Sequence, residues 1–505
     1  MSEIAGALYE GIRQIFIWPV PLAMLGGIVI GLVVGILPGI GGLGTLALFL
    51  PFVYKMEPPF AIAFLLGMHA VCNTSGGLTA VLFAIPGESS SSATLLDGFP
   101  MAQKGQAAKA CSIVLTASMV GGVIGALALA LCIPVMRTVI KAFGPAEFLM
   151  MVTMGIAFVG ALSGKKPLIG IACGGLGLLL SLIGDDPITG TIRYTFGWIY
   201  LWDGLQLVPL TVGLFAIGEL LEYGIERTSI SQQETVSGHK MQWGQVWEGA
   251  AYVFKRFGLT VRCSLIGMLV GAVPGIGGVV AAFISYGHAK QTSRHPEEFG
   301  LGSPEGVLAP EAADNAKEGG ALIPTIGFGI PGSAAMALIL SAFMILGLKP
   351  GPEMLTKDLP LTFTIVWTLV IANVVGAILV LSWVPAMAKV TNLRPGILVP
   401  LVLILSLLGA SSRGYPEDVL LALFFGVIGY VMRLMDLPRA PVILGFVLGR
   451  TFEINLHLTL QIFGPGFLFK RPIALVLAVI ILFTVAHEFL SRYRTERRQQ
   501  RASAS

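Results

Sequence analysis

Residues 31–42 read GLVVGILPGIGG, and residues 267–278 read GMLVGAVPGIGG. Eight of the twelve positions are identical, and the two copies lie about half a chain apart in 505 residues. Neither copy can be one regular helix. Proline lacks a donor and clashes with the preceding turn, while glycine permits positive φ. A chain that writes the same glycine-broken apolar segment twice is built from two related halves. In a membrane protein such paired breaks point to a carrier's binding site.

The composition requires a membrane. Hydrophobic residues make up 55% of the chain and charged residues 12%, where a soluble protein carries about 25% charged. The mean hydropathy is +0.83. Apolar runs of spanning or half-spanning length recur from 15–37 to 471–490, and they predict roughly 11 to 14 passes or half-passes. The runs at 59–86 and 321–348 carry internal breaks and are expected to enter and return. A net charge of +4 implies no nucleic-acid partner. Five scattered cysteines, none in a CxxC or Cys/His spacing, read as small buried hydrophobes. The N-terminus carries Glu3 and Glu10 in place of a basic n-region, so no cleavable signal peptide is expected.

The duplication extends beyond the opening motif. Pro38 pairs with Pro274 at an offset of 236, Pro86 with Pro331 at 245, and Pro167 with Pro416 at 249. The drift is what loop insertions produce. The expected division is an N-terminal segment 1–14, a first membrane repeat 15–225, a polar linker 226–249 and a second repeat 250–470. A final helix 471–490 and a basic tail 491–505 follow. The expected fold is an all-α polytopic membrane protein of two repeated halves with broken or re-entrant helices. Inverted repeats are common in secondary carriers, and inversion is the expectation here. The tail's arginines place the C-terminus in the cytoplasm by the positive-inside tendency.

A helix break at membrane depth frees backbone groups that something must satisfy. Carbonyls freed there suit Na⁺, which makes Gly39, Gly41, Gly42, Gly275, Gly277 and Gly278 candidate cation-site positions. The second pair of breaks, AIPGESSSSAT (84–94) and GIPGSAAMA (329–337), looks like two half-helix starts. Amides and hydroxyls at Gly87, Ser89, Ser90, Gly332 and Ser333 could hold a carboxylate. Glu88 repels such an anion and either caps a helix or helps bind a cation. Upstream, Asn73, Thr74, Ser75 and Gly76 lead into an apolar run, where polar groups usually face a cavity. Glu311 and Asn315 stand at i,i+4 and share a helix face, which adds them to the cation candidates. His69 alone reads as a packed histidine. Asp185-Asp186-Pro187 reads as a loop end, and Glu453, Asn455 and His457 are ambiguous.

No GxxxxGK[ST] loop is present, so the chain shows no nucleotide engine of its own. EAADNAKEG (311–319) superficially resembles the coupling motif of ATP-driven permeases, but its glycine comes two residues late. No HExxH, GxSxG or metal-ligand cluster supports intramembrane hydrolysis, and no enzyme or cofactor is expected.

With these residues in place, the chain resembles the large membrane subunit of the tripartite tricarboxylate transporters, the TctA family. The match runs nearly end to end. It is most specific in DGFPMAQKG, within AIPGESSSSATLLDGFPMAQKGQAAKA (84–110), and in LAPEAADNAKEGGALIPTIGFGIPGSAAMALIL (308–340). Where the family commonly has Tyr-Gly-Gly-Ser, this chain has Thr74-Ser75-Gly76-Gly77. The resemblance implies a small membrane subunit and a periplasmic solute-binding protein as partners. It implies carboxylate uptake across the bacterial inner membrane by symport with Na⁺ or H⁺, through an elevator-type motion. The rival readings are a standalone carboxylate carrier and a channel.

Overall fold

The computed structural model describes residues 2–35, 41–84, 86–162, 167–218, 221, 243–274, 277–390, 403–404, 407–408, 410–411 and 414–486. Gly39 and Gly275, the linker up to residue 242 and the basic tail lie outside them. The first half holds helices α1 (Ser2–Phe16), α2 (Val20–Gly35), α3 (Gly41–Phe49), α4 (Pro58–Phe83), α5 (Ser92–Met101), α6 (Ala107–Val139), α7 (Pro145–Leu162), α8 (Pro167–Ser181) and α9 (Leu207–Thr211). The second holds α10 (Trp243–Lys255), α11 (Phe257–Gly271), α12 (Gly277–Thr292), α13 (Pro304–Phe328), α14 (Ala334–Ile345), α15 (Leu359–Val390), α16 (Pro416–Leu434) and α17 (Ala440–Phe463). Helix α18 (Pro472–Ala486) follows. The one sheet among the described residues is a hairpin of β1 (Gly184–Asp185) and β2 (Ile192–Arg193).

The fold is an all-α polytopic membrane protein. Pro58–Phe83, Ser89–Ala142 and Leu359–Leu381 are long and apolar enough to cross a membrane. Glu3–Phe16 and Val20–Gly35, bent by 73° to each other, make a fourth span if taken together. Large apolar side chains such as Leu131, Leu420 and Leu482 stand more than half exposed on helix surfaces. Water would penalise that arrangement and lipid does not. The run at 59–86 forms one unbroken helix, α4, and its break falls just beyond it. The run at 321–348 is interrupted at Gly329–Ser333, and its first helix already starts at Pro304.

Helices α4 and α13 occupy matching places. Each starts with proline in its first turn, where the missing donor costs nothing. Each stops on a left-handed residue, Ala84 (φ 55°) or Gly329 (φ 68°), ahead of a Pro-Gly. Each is gripped by the same glycine ladder. A Cβ on Gly31 of α2 would strike the Met68 carbonyl, and one on Gly35 would strike Cys72. Offset by 236 on one side and 245 on the other, Gly267 and Gly271 of α11 meet the backbone of Ala313 and Lys317. Small residues at four-residue spacing let two helix backbones approach this closely.

The two helices run in opposite directions. Along α4 the sequence His69, Asn73, Thr74, Gly77 faces Glu318, Glu318, Asn315, Glu311 along α13. Rising numbers on one meet falling numbers on the other, so the repeats are inverted. They are also intertwined. Helix α6 of the first half packs along α13 of the second, and α15 of the second packs along α4 of the first. The amphipathic helix α1 lies on α15, and its counterpart α10 lies on α6.

Candidate functional site

The crossing of α4 and α13 collects polar side chains in the middle of an apolar protein. His69 Nε2 stands 3.2 Å from Glu318 Oε2. Asn73 Nδ2 donates to Glu318 Oε1 at 2.8 Å, and Lys317 Nζ donates to the same oxygen at 2.7 Å. Lys317 also lies 2.9 Å from Asp314 Oδ1, while Ser90 Oγ donates to Asp314 Oδ2 at 3.0 Å. All six residues are buried. Charges in such a place are expensive unless paired, and they usually mark a pathway or a site.

The breaks abut this cluster. At the first, Gly41 adopts φ 55°, and the amide of Gly42 donates to Glu88 Oε1. Glu88 thus reaches back from the second break to cap the first turn of α3. A Cβ on Gly42 would meet Glu88, His69 Nδ1 at 3.1 Å and Asn73 Oδ1 at 3.4 Å. Three polar groups therefore converge on the bare face of one glycine. At the second copy, Gly277 has φ 76°, and a Cβ on Gly278 would meet Lys317 and Asp314 Oδ1. His69 Nδ1, Asn73 Oδ1, Ser91 Oγ and Asn315 Oδ1 are buried without a hydrogen-bond partner among the described residues. Orphaned polar atoms of this kind are rare and call for an explanation such as a ligand.

The expected site residues divide by position. Asn73, Thr74, Ser90 and Asn315 belong to the cluster. Asn315 Nδ2 donates to Thr74 Oγ1 at 2.9 Å and to Asn373 Oδ1 at 2.6 Å. Glu311 sits one turn away and accepts from Thr94 at 2.6 Å and Ser118 at 2.8 Å. Ser75 returns its hydroxyl to Val71 and Cys72 of its own helix. Gly76 and Gly87 press together, Gly87 donating to the Gly76 carbonyl at 3.3 Å, and Gly332 is pressed on Ala321. Ser333 caps α14 by accepting from the Met336 amide, and Ser89 is exposed. Glu453 lies elsewhere, paired with Arg193 at 2.6 Å. The motif reading passed over Lys317, Glu318, Ser118 and Asn373. The first two were visible as charges entering an apolar run.

The family described as "Tripartite tricarboxylate transporter TctA family" matches residues 22–444. An "Uncharacterized 52.8 kDa protein in TAR-I ttuC' 3'region" of Agrobacterium vitis is 33% identical over 474 residues, covering 93% of either chain. An "Uncharacterized protein in TAR-II ttuC' 3'region" of the same organism is 36% identical over 236 residues, which cover 46% of this chain and 98% of that protein. No solved structure matches.

Proposed function

The chain belongs to the tripartite tricarboxylate transporter TctA family, and from that premise we propose that it is the transmembrane subunit of a binding-protein-dependent secondary transporter. It imports a carboxylate by cation symport across the bacterial inner membrane. Its partners are a small membrane subunit and a periplasmic solute-binding protein, and its C-terminus is cytoplasmic. We take the repeats as 15–225 and 250–470, each extended toward its N-terminal side by the matched helices α1 and α10.

The observation that carries the reading is the buried polar cluster at the crossing of α4 and α13, abutting both glycine breaks. Its charges also supply a coupling rule. Glu88, Asp314 and Glu318 set three carboxylates against the single ammonium of Lys317, beside the His69 imidazole. An anionic substrate entering that surplus is repelled, and in a low-dielectric interior the repulsion is large. A cation, Na⁺ or H⁺, bound at Glu88, Asn73 and the carbonyls of the breaks lowers that surplus first. Lys317, Asn73 and the serines Ser90 and Ser91 then hold the substrate carboxylate. Because α4 and α13 are inverted copies, the same cluster faces equivalent surroundings on both sides. That suits alternating access by an elevator-type displacement.

The test is uptake of labelled carboxylates into proteoliposomes holding this chain with its small subunit. Binding protein is added outside, and Na⁺ or pH gradients are imposed separately. Uptake that needs binding protein and one gradient is expected. Uptake indifferent to both would remove the symporter reading.

A further inference from the structure

We infer that a basic cavity where α10, α11 and α12 meet binds the phosphodiester headgroup of an anionic phospholipid. The cavity encloses about 410 Å³ and is lined by Lys255, Arg256, Arg262 and Arg294 against one carboxylate, Glu305. Arg256 pairs with Glu305 at 3.0 Å. Lys255, Arg262 and Arg294 have no ion-pair partner among the described residues, so they converge on a space whose one carboxylate, Glu305, is already paired with Arg256. Guanidinium forks match the oxygens of a phosphate, and two of those three side chains are arginines. The cavity is separate from the cluster at α4 and α13: none of the cluster's residues lines it.

A free phosphate has the same headgroup chemistry, and the surroundings favour the lipid. Helix α10 turns Trp243, Trp247 and Phe254 outward, and Phe257 follows at the start of α11. Exposed tryptophans beside lysine and arginine are the pattern of a bilayer–water boundary. From the cavity, Arg262, Leu265 and Leu269 follow one face of α11 at three- and four-residue spacing, and the two leucines are exposed. Val273, just beyond the helix, continues the exposed line. An acyl chain leaving a headgroup at Arg262 has that apolar track to follow. A phosphate ion would leave it bare.

Native mass spectrometry of the detergent-purified full chain, with phosphatidylglycerol, phosphatidylcholine or inorganic phosphate added, tests the assignment. Phosphatidylglycerol should be retained in preference to phosphatidylcholine. Arg262→Gln with Arg294→Gln should weaken that retention about tenfold or more, and Arg262→Lys with Arg294→Lys should keep most of it. Leu265→Ser with Leu269→Ser should weaken lipid retention as well. Equal retention of phosphatidylglycerol by the glutamine pair and the wild type would overturn the site. Inorganic phosphate that displaces phosphatidylglycerol at matched concentration would overturn the lipid and make free phosphate the ligand.

Discussion

At the scale of residues, the cluster's chemistry rests on one lysine and one missing side chain. Among the described residues Lys317 is the one buried lysine or arginine, and it separates Asp314 from Glu318. Lys317→Gln leaves two carboxylates facing each other without a cation, a loss of about 3–5 kcal/mol by the usual cost of breaking a buried pair. The purified variant should melt earlier than wild type and transport nothing. Adding Glu318→Gln should recover most of the melting temperature without recovering uptake, because the charge balance returns but the Lys317 ammonium that holds the substrate carboxylate does not. Full uptake by the double variant would remove Lys317 from the substrate site. Gly42→Ala probes the site from the other side. Its methyl group would enter the space shared by His69 Nδ1, Asn73 Oδ1 and Glu88. Transport should fall at least about tenfold while the fold is kept, since an overpacking methyl costs about 1–3 kcal/mol; unchanged uptake would show that the space is not the site. The i,i+4 spacing of Glu311 and Asn315 was legible in the sequence. Lys317 and Glu318 were visible only as charges entering an apolar run, and such a run at the end of a polar stretch looks solvated until the helix that buries it is known. Asn373 gave no local signal, since its link to the cluster, Asn315, lies 58 residues away in sequence.

At the scale of elements, proline and glycine placement was the readable part. The Pro-Gly dipeptides end α4 and α13, and the PGIGG segments separate α2 from α3 and α11 from α12. Direction was not readable, because a repeat aligned in sequence looks the same whether its copies run parallel or opposed. The β1–β2 hairpin shows how a short polar run becomes an ordered element. Asp186 Oδ1 accepts from the Ile188 amide at 2.8 Å and the Thr189 amide at 3.2 Å, closing the turn, while Arg193 bridges Asp186 and Glu453. Those backbone donors, first Ile188 and then Thr189, hold the Asp186 carboxyl below its ordinary range. A carboxyl held low contributes stability above its unfolded value of about 3.9 and loses it as pH falls through the folded value. Hydrogen-exchange protection of the amides at 188–191 should therefore be flat from neutral pH to about 5 and decline below about 4. Asp186→Asn should remove the decline. A hairpin whose protection ignores pH in the wild type would mean that the carboxylate does not close the turn.

At the scale of the molecule, the inverted copies do not form two adjacent bodies. Each half gives a long helix to the other, α6 along α13 and α15 along α4, and each half carries the partners of the other's buried polar groups. Glu311 is satisfied by Thr94 and Ser118, Asp314 by Ser90, Asn315 by Thr74, and Glu318 by His69 and Asn73. A second half made alone would strip Glu311 of both partners and leave Asp314, Asn315 and Glu318 with only those of their own half, Lys317 and Asn373, at membrane depth, where a lost partner costs several kcal/mol. The first half alone would leave His69 and Asn73 in the same position. Residues 1–225 and 243–505, expressed separately, should therefore each aggregate or be degraded. Expressed together as two chains, they should copurify with a single melting transition, since the break between them falls in the polar linker. A single half that purifies as a monodisperse, cooperatively melting species would mean that the exchange of α6 and α15 does not hold the protein together. A stable pair of halves would instead tie transport to the interface, because the proposed cation and substrate ligands come from both halves. Motion that carries the substrate must then displace the joined α4–α13 core as one body against the outer helices, rather than parting one half from the other.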